Sequence, residues 1–239
     1  MTPPHGRLLL IPAPLEQVPD PRPWLCEPDR RLAGSLARYY VETPKTARTW
    51  LKALPTELPL QALQLRALPP VDAQVDWNDW LAPLAAGENV GLLSDAGCPG
   101  VADPGARLVA AAHDAGIEVQ PLIGPSSLLL AIMASGLNGQ RFVFQGYLPV
   151  DRGERQQAIE RLARRSAAES ETVMLIETPY RNQAMADSLL EVLPPASRLC
   201  IAIDLTGASE SVRSRPVAAW RRAPPSLPRK LPAVFLFQC

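Results

Sequence analysis

Two sets of residues in this sequence have types and spacings suited to chemistry. The first is unbroken: Ser94-Asp95-Ala96-Gly97-Cys98-Pro99-Gly100-Val101-Ala102-Asp103-Pro104-Gly105. Glycines let a backbone approach a ligand closely, prolines stiffen the path between them, and two aspartates offer acceptors to amines or hydroxyls. The second set is scattered. Glu42 and Glu177 each end an apolar run, and Tyr180 and Arg181 follow closely on the second. A carboxylate at the end of a strand can accept a proton or hold a substrate, although Glu42 could equally favour the N-terminus of a following helix. By spacing alone the glycine–proline string is either a ligand cradle or a tight connector. It is not G-x-G-x-x-G, and no Gly-Lys-Ser/Thr occurs, which argues against dinucleotide and nucleoside-triphosphate cofactors.

Other chemistries find no support. Cys26, Cys98, Cys200 and Cys239 are dispersed, and His5 and His113 lie far from them, so no metal site is expected. G-x-S-x-G is absent. Cys98 sits inside the string, but a lone cysteine is more often an inert thiol than a nucleophile. Trp77 and Trp80, three apart, read as packing on one helix.

A string of this kind needs a strand before it and a helix after it. Asn89–Ser94 reads as a buried strand, and Ala106–Ala115 as a helix with one apolar face closed by Gly116. Around them the apolar rhythm alternates. Arg7–Pro12 is a strand, followed by a proline-rich connection through Pro28. Asp29 is expected to cap a helix over Arg30–Ala37, and Arg38–Glu42 is a strand. Thr43 and Pro44 are an N-cap and N1 pair opening a helix over Pro44–Leu54. Leu60–Leu65 is a strand, Trp77–Ala86 a helix, Glu118–Ile123 a strand and Ser126–Ser135 a helix that Ser126 and Ser127 would cap. This alternation predicts a mostly parallel sheet with helices on both faces.

The character changes near Leu148–Gly153. Asp151–Gly153 reads as a hinge before a charged helix over Glu154–Ala168. Thr172–Glu177 is a strand, Asn182–Leu193 a helix and Leu199–Leu205 a strand, and Ser211–Trp220 and Leu231–Gln238 suggest antiparallel strands. The expected organisation is an N-terminal α/β domain over 1–148 and a mixed-sheet C-terminal α/β domain over 149–239.

The balance of 24 Lys and Arg against 24 Asp and Glu, with 47% hydrophobic residues, describes a globular chain with no global field for polyanions. The 27 prolines, well above the average of about 5%, mark rigid joints. Leu8–Ile11 is too short for a signal sequence, and Leu128–Ala134 is too short to span a bilayer, so a cytoplasmic protein without membrane contact is expected.

The string resembles the S-D-A-G-x-P-x-x-x-D-P-G signature of the ribosomal-RNA branch of the tetrapyrrole (corrin/porphyrin) methylase superfamily, whose members methylate a ribose 2′-hydroxyl. Further stretches agree in order. Leu122-Ile123-Gly124-Pro125-Ser126-Ser127 is similar to the P-G-P-S-A turn, and Ala134-Ser135-Gly136-Leu137 follows it. Phe142–Pro149 resembles the run ending in G-x-L-P that closes the first domain. Glu177-Thr178-Pro179-Tyr180-Arg181 resembles E-S-P-H-R of the second. The resemblance implies a homodimer binding S-adenosylmethionine between its two domains. It further implies cofactor contacts from Ser94, Asp95, Ala96, Gly97, Pro99, Asp103, Ser126, Ser127, Leu205 and Ala233. Glu42 and Glu177 become the candidate catalytic bases, and Tyr180 and Arg181 the substrate contacts. The acceptor would be an RNA ribose or a small molecule; no DNA is expected.

Three segments depart from the branch. Ile11-Pro12-Ala13-Pro14-Leu15-Glu16 stands in place of T-P-I-G-N. Val41-Glu42-Thr43-Pro44-Lys45 stands for A-E-D-T-R, keeping the glutamate and losing the aspartate. Ile203-Asp204-Leu205-Thr206-Gly207 stands for R-E-L-T-K, losing the lysine. These differences point to an acceptor other than the branch's conserved ribosomal site, or to a non-catalytic S-adenosylmethionine-binding protein that engages a protein or RNA partner. Arg152, Arg155, Arg161, Arg164 and Arg165 could grip a polyanion, but interleaving with Glu154 and Glu160 suggests a solvated face.

Overall fold

Short apolar runs separated by proline and glycine punctuation give many brief elements. The computed structural model describes residues 5–15 and 24–239, so most of the connection expected between Pro12 and Pro28, and Glu16 with it, lies outside the described residues. The chain divides into two units, Met1–Ser126 and Ser127–Cys239.

In the first unit, strands β1 (Leu8–Ile11), β2 (Arg38–Val41), β3 (Gln64–Ala67), β4 (Val90–Leu93) and β5 (Val119–Pro121) form one sheet in the order β3-β2-β4-β1-β5. Every pairing in it is parallel. Side chains alternate across a strand, and each face carries its own core. Leu9, Ile11, Tyr39, Val41 and Leu93 pack with Ala33 of α1 (Glu27–Gly34) and with Ala47, Trp50 and Leu51 of α2 (Pro44–Leu51). Leu8, Tyr40, Val90 and Leu92 pack on the other side with Trp80, Leu81 and Leu84 of α3 (Asn78–Ala85) and Leu108 of α4 (Ala106–Asp114). The expected helices on both faces are present.

The second unit holds a mixed sheet in the order β6-β7-β10-β8-β9, built from Phe142–Gly146, Thr172–Glu177, Ala233–Gln238, Arg198–Ile203 and Ser211–Pro216. Only β6 and β7 run parallel. Val173, Leu175, Leu199, Phe235 and Phe237 pack with α6 (Arg152–Glu169), α7 (Asn182–Val192) and α8 (Val217–Arg222). Helix α5 (Ser127–Ser135) lies against β8, β9 and β10. The division therefore falls earlier than the change of character near Leu148. Alternation of strands and helices continues smoothly through Leu148, but β6 pairs with β7 and not with the first sheet.

Three local expectations are corrected. Helix α1 starts at Glu27 after Cys26, earlier than the cap expected at Asp29, and the Asp29 carboxylate instead accepts from the Ile123 amide at 2.9 Å. The stretch Ser211–Trp220 is half strand and half helix, because Pro216 ends β9 and becomes the N-cap of α8. Asp151–Gly153 is not a hinge: Asp151 is the N-cap of α6, its side chain accepting from the Glu154 amide at 2.9 Å. Losing an N-cap costs about 1 kcal/mol. Asp151→Ala should therefore lower the urea midpoint of the second unit by a matching amount, while Asp151→Ser should recover most of it.

Candidate functional site

The loop following β4 is held from three directions. The Ala13 amide donates to Gly97 O at 2.8 Å and the Gly97 amide to Ala13 O at 3.1 Å, tying it to the segment after β1. The Trp50 indole of α2 donates to Asp95 O at 3.0 Å. The Cys98 thiol donates to Pro125 O at 3.4 Å. Within the loop, the buried Ser94 hydroxyl donates to Gly97 O at 3.1 Å. Its path needs left-handed backbone at Gly97 (φ 68°), Gly100 (φ 76°) and Ala102 (φ 63°), and it enters α4 through Gly105 at φ 129°. A Cβ on Gly97 would meet nothing nearer than Leu15 Cδ2 at 3.4 Å, so conformation, and not crowding by the protein, requires the glycine there. β4 and β1 are neighbours, and their loops lie together at the carboxyl edge of a parallel sheet, where such sheets bind ligands.

The carboxylates gather at the same edge. The Asp95 amide donates to Glu42 Oε2 at 3.1 Å, and the Thr43 amide donates to Asp95 Oδ1 at 3.1 Å. Thr43 is the N-cap of α2 as expected, but its own side chain makes no cap. Burial pushes the Glu42 carboxyl above the ordinary range, the Asp95 charge adding to it and the Asp95 amide opposing it. Asp103 is pushed up to about 7, first by burial and then by the charges of Glu42 and Asp95. Burial also raises the Cys98 thiol, which keeps it protonated and inert. Among the described residues, no group of three or more His, Cys, Asp or Glu side chains is arranged to hold a metal ion. Of the first-unit residues expected at the site, Ser94, Asp95, Ala96, Gly97, Pro99 and Asp103 share this loop with Glu42 beside it. Ser126 closes the unit and Ser127 opens α5. Trp50 and Ala13 were not foreseen. A tryptophan within a helix gives no sign that its N–H serves a loop 45 residues away.

The remaining expected residues meet at one end of the second sheet. Ala233 of β10 is paired with Glu177 of β7 on one side and Ile203 of β8 on the other. Leu205 lies two residues beyond that strand end and is buried. Glu177 is 5% exposed. Its Oε1 accepts from the Thr178 amide at 2.7 Å, and its Oε2 pairs with Arg181 Nη2 at 2.9 Å. Glu177 thus braces the turn over Pro179–Arg181 that carries Tyr180, and it belongs to a different unit from Glu42.

The departures have local accounts. Thr43 contributes through its backbone amide, as above. Gly207 belongs to a turn in which the Asp204 carboxylate accepts from the Ser209 amide at 2.9 Å, and a Cβ at 207 would collide with that carboxylate. The arginines of α6 are largely engaged. Arg155 is buried and donates to Val150 O at 2.8 Å and to Ser188 Oγ at 3.0 Å, Arg152 pairs with Glu191, and Arg165 pairs with Glu171.

A parallel α/β sheet whose strand-ending glycine–proline loop is held rigid beside carboxylates, joined in sequence to a mixed-sheet unit, is of the α/β class of fold to which methylases belong. The chain belongs to the tetrapyrrole (corrin/porphyrin) methylases, whose family model matches residues 36–219. It is 44% identical over 129 residues to a ribosomal RNA small subunit methyltransferase I of Synechocystis sp., covering 54% of this chain and 45% of that one. It is 34% identical over 219 residues to the protein of that name in Mycobacterium bovis, covering 87% and 69%. The chain spans about half the length of several curated relatives it matches. Its fold is similar to the uroporphyrin-III-C-methyltransferase of Thermus thermophilus, with a TM-score of 0.54 at 20% identity, covering 98% of this chain and 92% of that one. No helix among the described residues is long and apolar enough to cross a membrane.

Asp103 gives the site a pH signature. An acid whose pKa is raised on folding binds its proton more tightly in the folded state, so this group's contribution falls as pH rises from about 4 to about 7 and is constant above that. Asp103→Asn should flatten the dependence of the urea midpoint on pH across that window and raise the midpoint at pH 8. Parallel profiles for the two proteins would show that Asp103 ionises freely.

Proposed function

We propose that the chain is an S-adenosylmethionine-dependent methyltransferase acting on a ribose hydroxyl of RNA. The observation that carries this is the loop after β4, fixed in shape by Ala13, Trp50 and Pro125 and flanked by Glu42, Asp95 and Asp103. The donor set suits the group. S-adenosylmethionine carries a sulfonium and an ammonium, both cations, and this edge concentrates carboxylates, while the absence of a side chain at Gly97 lets a ligand approach the backbone closely. Asp95, Ala96, Gly97, Pro99, Asp103 and Ser126 would hold it.

When bound, the cofactor supplies an electrophilic methyl group. What the chain must add is alignment of the acceptor oxygen with that carbon, a task of proximity and orientation, and a place for the hydroxyl proton. Glu42 is the proposed proton acceptor, because it stands at the carboxyl edge beside the loop and burial raises its pKa above the ordinary carboxylate range, which makes it a better base. One of its oxygens is committed to the Asp95 amide, which fixes the direction of the other. Glu177 is proposed as a positioning residue for Tyr180 and Arg181. RNA is favoured over a small molecule by the ribosomal RNA small subunit methyltransferases that the chain resembles. The homodimer belongs to the same proposal.

S-adenosylmethionine should raise the melting temperature by mass action and give a measurable heat in calorimetry, whereas NAD and ATP should do neither. Gly97→Val should remove that binding while the fold survives, since a β-branched residue resists φ near 68° and fills the approach. Labelled S-adenosylmethionine with 30S subunits lacking ribose methylation should transfer label to the RNA. Binding without transfer to any RNA would leave a non-catalytic binding protein, and no binding would end the proposal.

A further inference from the structure

A second opening lies within the second unit, away from the loop after β4 in sequence and unit. Pro179, Tyr180, Gln183, Asp187, Leu227 and Arg229 line a groove of about 850 Å³ between the start of α7 and the proline-rich segment before β10. That volume is in the range of roughly 300–1,000 Å³ typical of small-molecule sites. Tyr180 is 79% exposed, unusual for a large aromatic side chain on a fixed turn. The turn is fixed from beneath by the Glu177–Arg181 pair, and Arg181 also donates to Pro149 O at 3.3 Å. The opposite wall is pinned too. Gln183 Oε1 accepts from the Leu227 amide at 2.9 Å, its Nε2 donates to Pro225 O at 3.1 Å, and Asn182 Nδ2 donates to Leu231 O at 2.9 Å.

The groove is lined by one cation, Arg229, and one acid, Asp187, and Lys230 follows Arg229 in a stretch of sequence rich in cations. From Ser211 to the end of the sequence the cations are Arg213, Arg215, Arg221, Arg222, Arg229 and Lys230, and there is no Asp or Glu. Arg229 and Lys230 are exposed and have no ion pair among the described residues. The groove's one acid, Asp187, is met by Gln183 Nε2 at 2.9 Å. The groove thus sets an exposed aromatic ring on a braced turn opposite Arg229, a cation with no ion pair among the described residues, with Lys230 next to it in sequence. Base stacking on an aromatic face combined with backbone neutralisation is how unpaired nucleic acid is held without sequence readout.

We propose that this groove binds an unpaired nucleotide of the RNA acceptor, with its base on the Tyr180 ring and its phosphates at Arg229 and Lys230. This rests on the RNA-methyltransferase reading and adds to it a subsite outside the cofactor loop. The probe is a fluorescein-labelled 12-residue oligouridine, followed by anisotropy with the full chain. Tyr180→Ala should weaken binding roughly 5- to 100-fold, and Tyr180→Phe, which keeps the ring, should bind nearly as the parent does. Arg229→Ala with Lys230→Ala should weaken binding and lower the salt slope by about one to two units. A duplex RNA should compete poorly. S-adenosylmethionine binding by calorimetry should be unchanged in all three variants, which also reports that they fold. Equal oligouridine affinity for Tyr180→Ala and the parent overturns the groove, including the case in which a proline-rich peptide occupies it instead. If the parent labels 30S RNA and Tyr180→Ala labels it with unchanged KM, the groove fails while the methyltransferase reading stands. If the parent labels no RNA, the methyltransferase reading itself fails.

Discussion

The first unit depends on a reciprocal arrangement at the carboxyl edge of its sheet. Glu42, just past β2, accepts from the Asp95 amide, and Asp95, just past β4, accepts from the Thr43 amide. Each carboxylate thereby fixes the backbone next to the other, and two adjacent parallel strands are prevented from sliding independently at their ends. The cost is a concentration of negative charge in a half-buried place, visible in the raised pKa values of Glu42 and Asp103. That charge opposes folding slightly and makes the edge receptive to a cation. The glycine–proline loop has its shape because this brace and the Ala13–Gly97 bridge leave it little freedom.

Much of this was legible before any coordinates. Strand β7 falls on Thr172–Glu177 as read, since an apolar run bounded by polar turns has few alternatives. The parallel first sheet and mixed second sheet follow from the order of the elements. Contacts across sequence were not legible. Asp29 looks like a helix cap because capping is a local rule, but its partner is the Ile123 amide, which local rules cannot see. The division into units falls before the change of character near Leu148, because β6 carries the same apolar pattern whichever sheet it joins. Trp50 shows the same limit, a core residue by pattern whose N–H serves the loop.

The arginines around α6, whose interleaving with glutamates suggests a solvated face, serve in part as structural fastening in the second unit. Arg155 and Arg181, on different elements, both donate to Pro149 O. A guanidinium with five donors suits this use, because it can satisfy several carbonyls of an irregular segment that no ladder pairs. Arg229 and Lys230, in the segment before β10, are exposed and have no ion pair among the described residues. Composition could not reveal this, since net charge is blind to which charges are already matched.

The turn after β8 bears on how such a sequence can change over generations. Asp204 folds its carboxylate over position 207, accepting from the Ser209 amide, and a side chain there would collide with it. Asp204 and Gly207 are therefore epistatic: neither can be exchanged for the glutamate and lysine of the related branch without altering what the other tolerates. A lysine introduced at 207 alone would require the Asp204 carboxylate to swing aside and release the Ser209 amide. Any side chain at 207 thus draws on the same hydrogen bond that closes the turn, which couples the two positions.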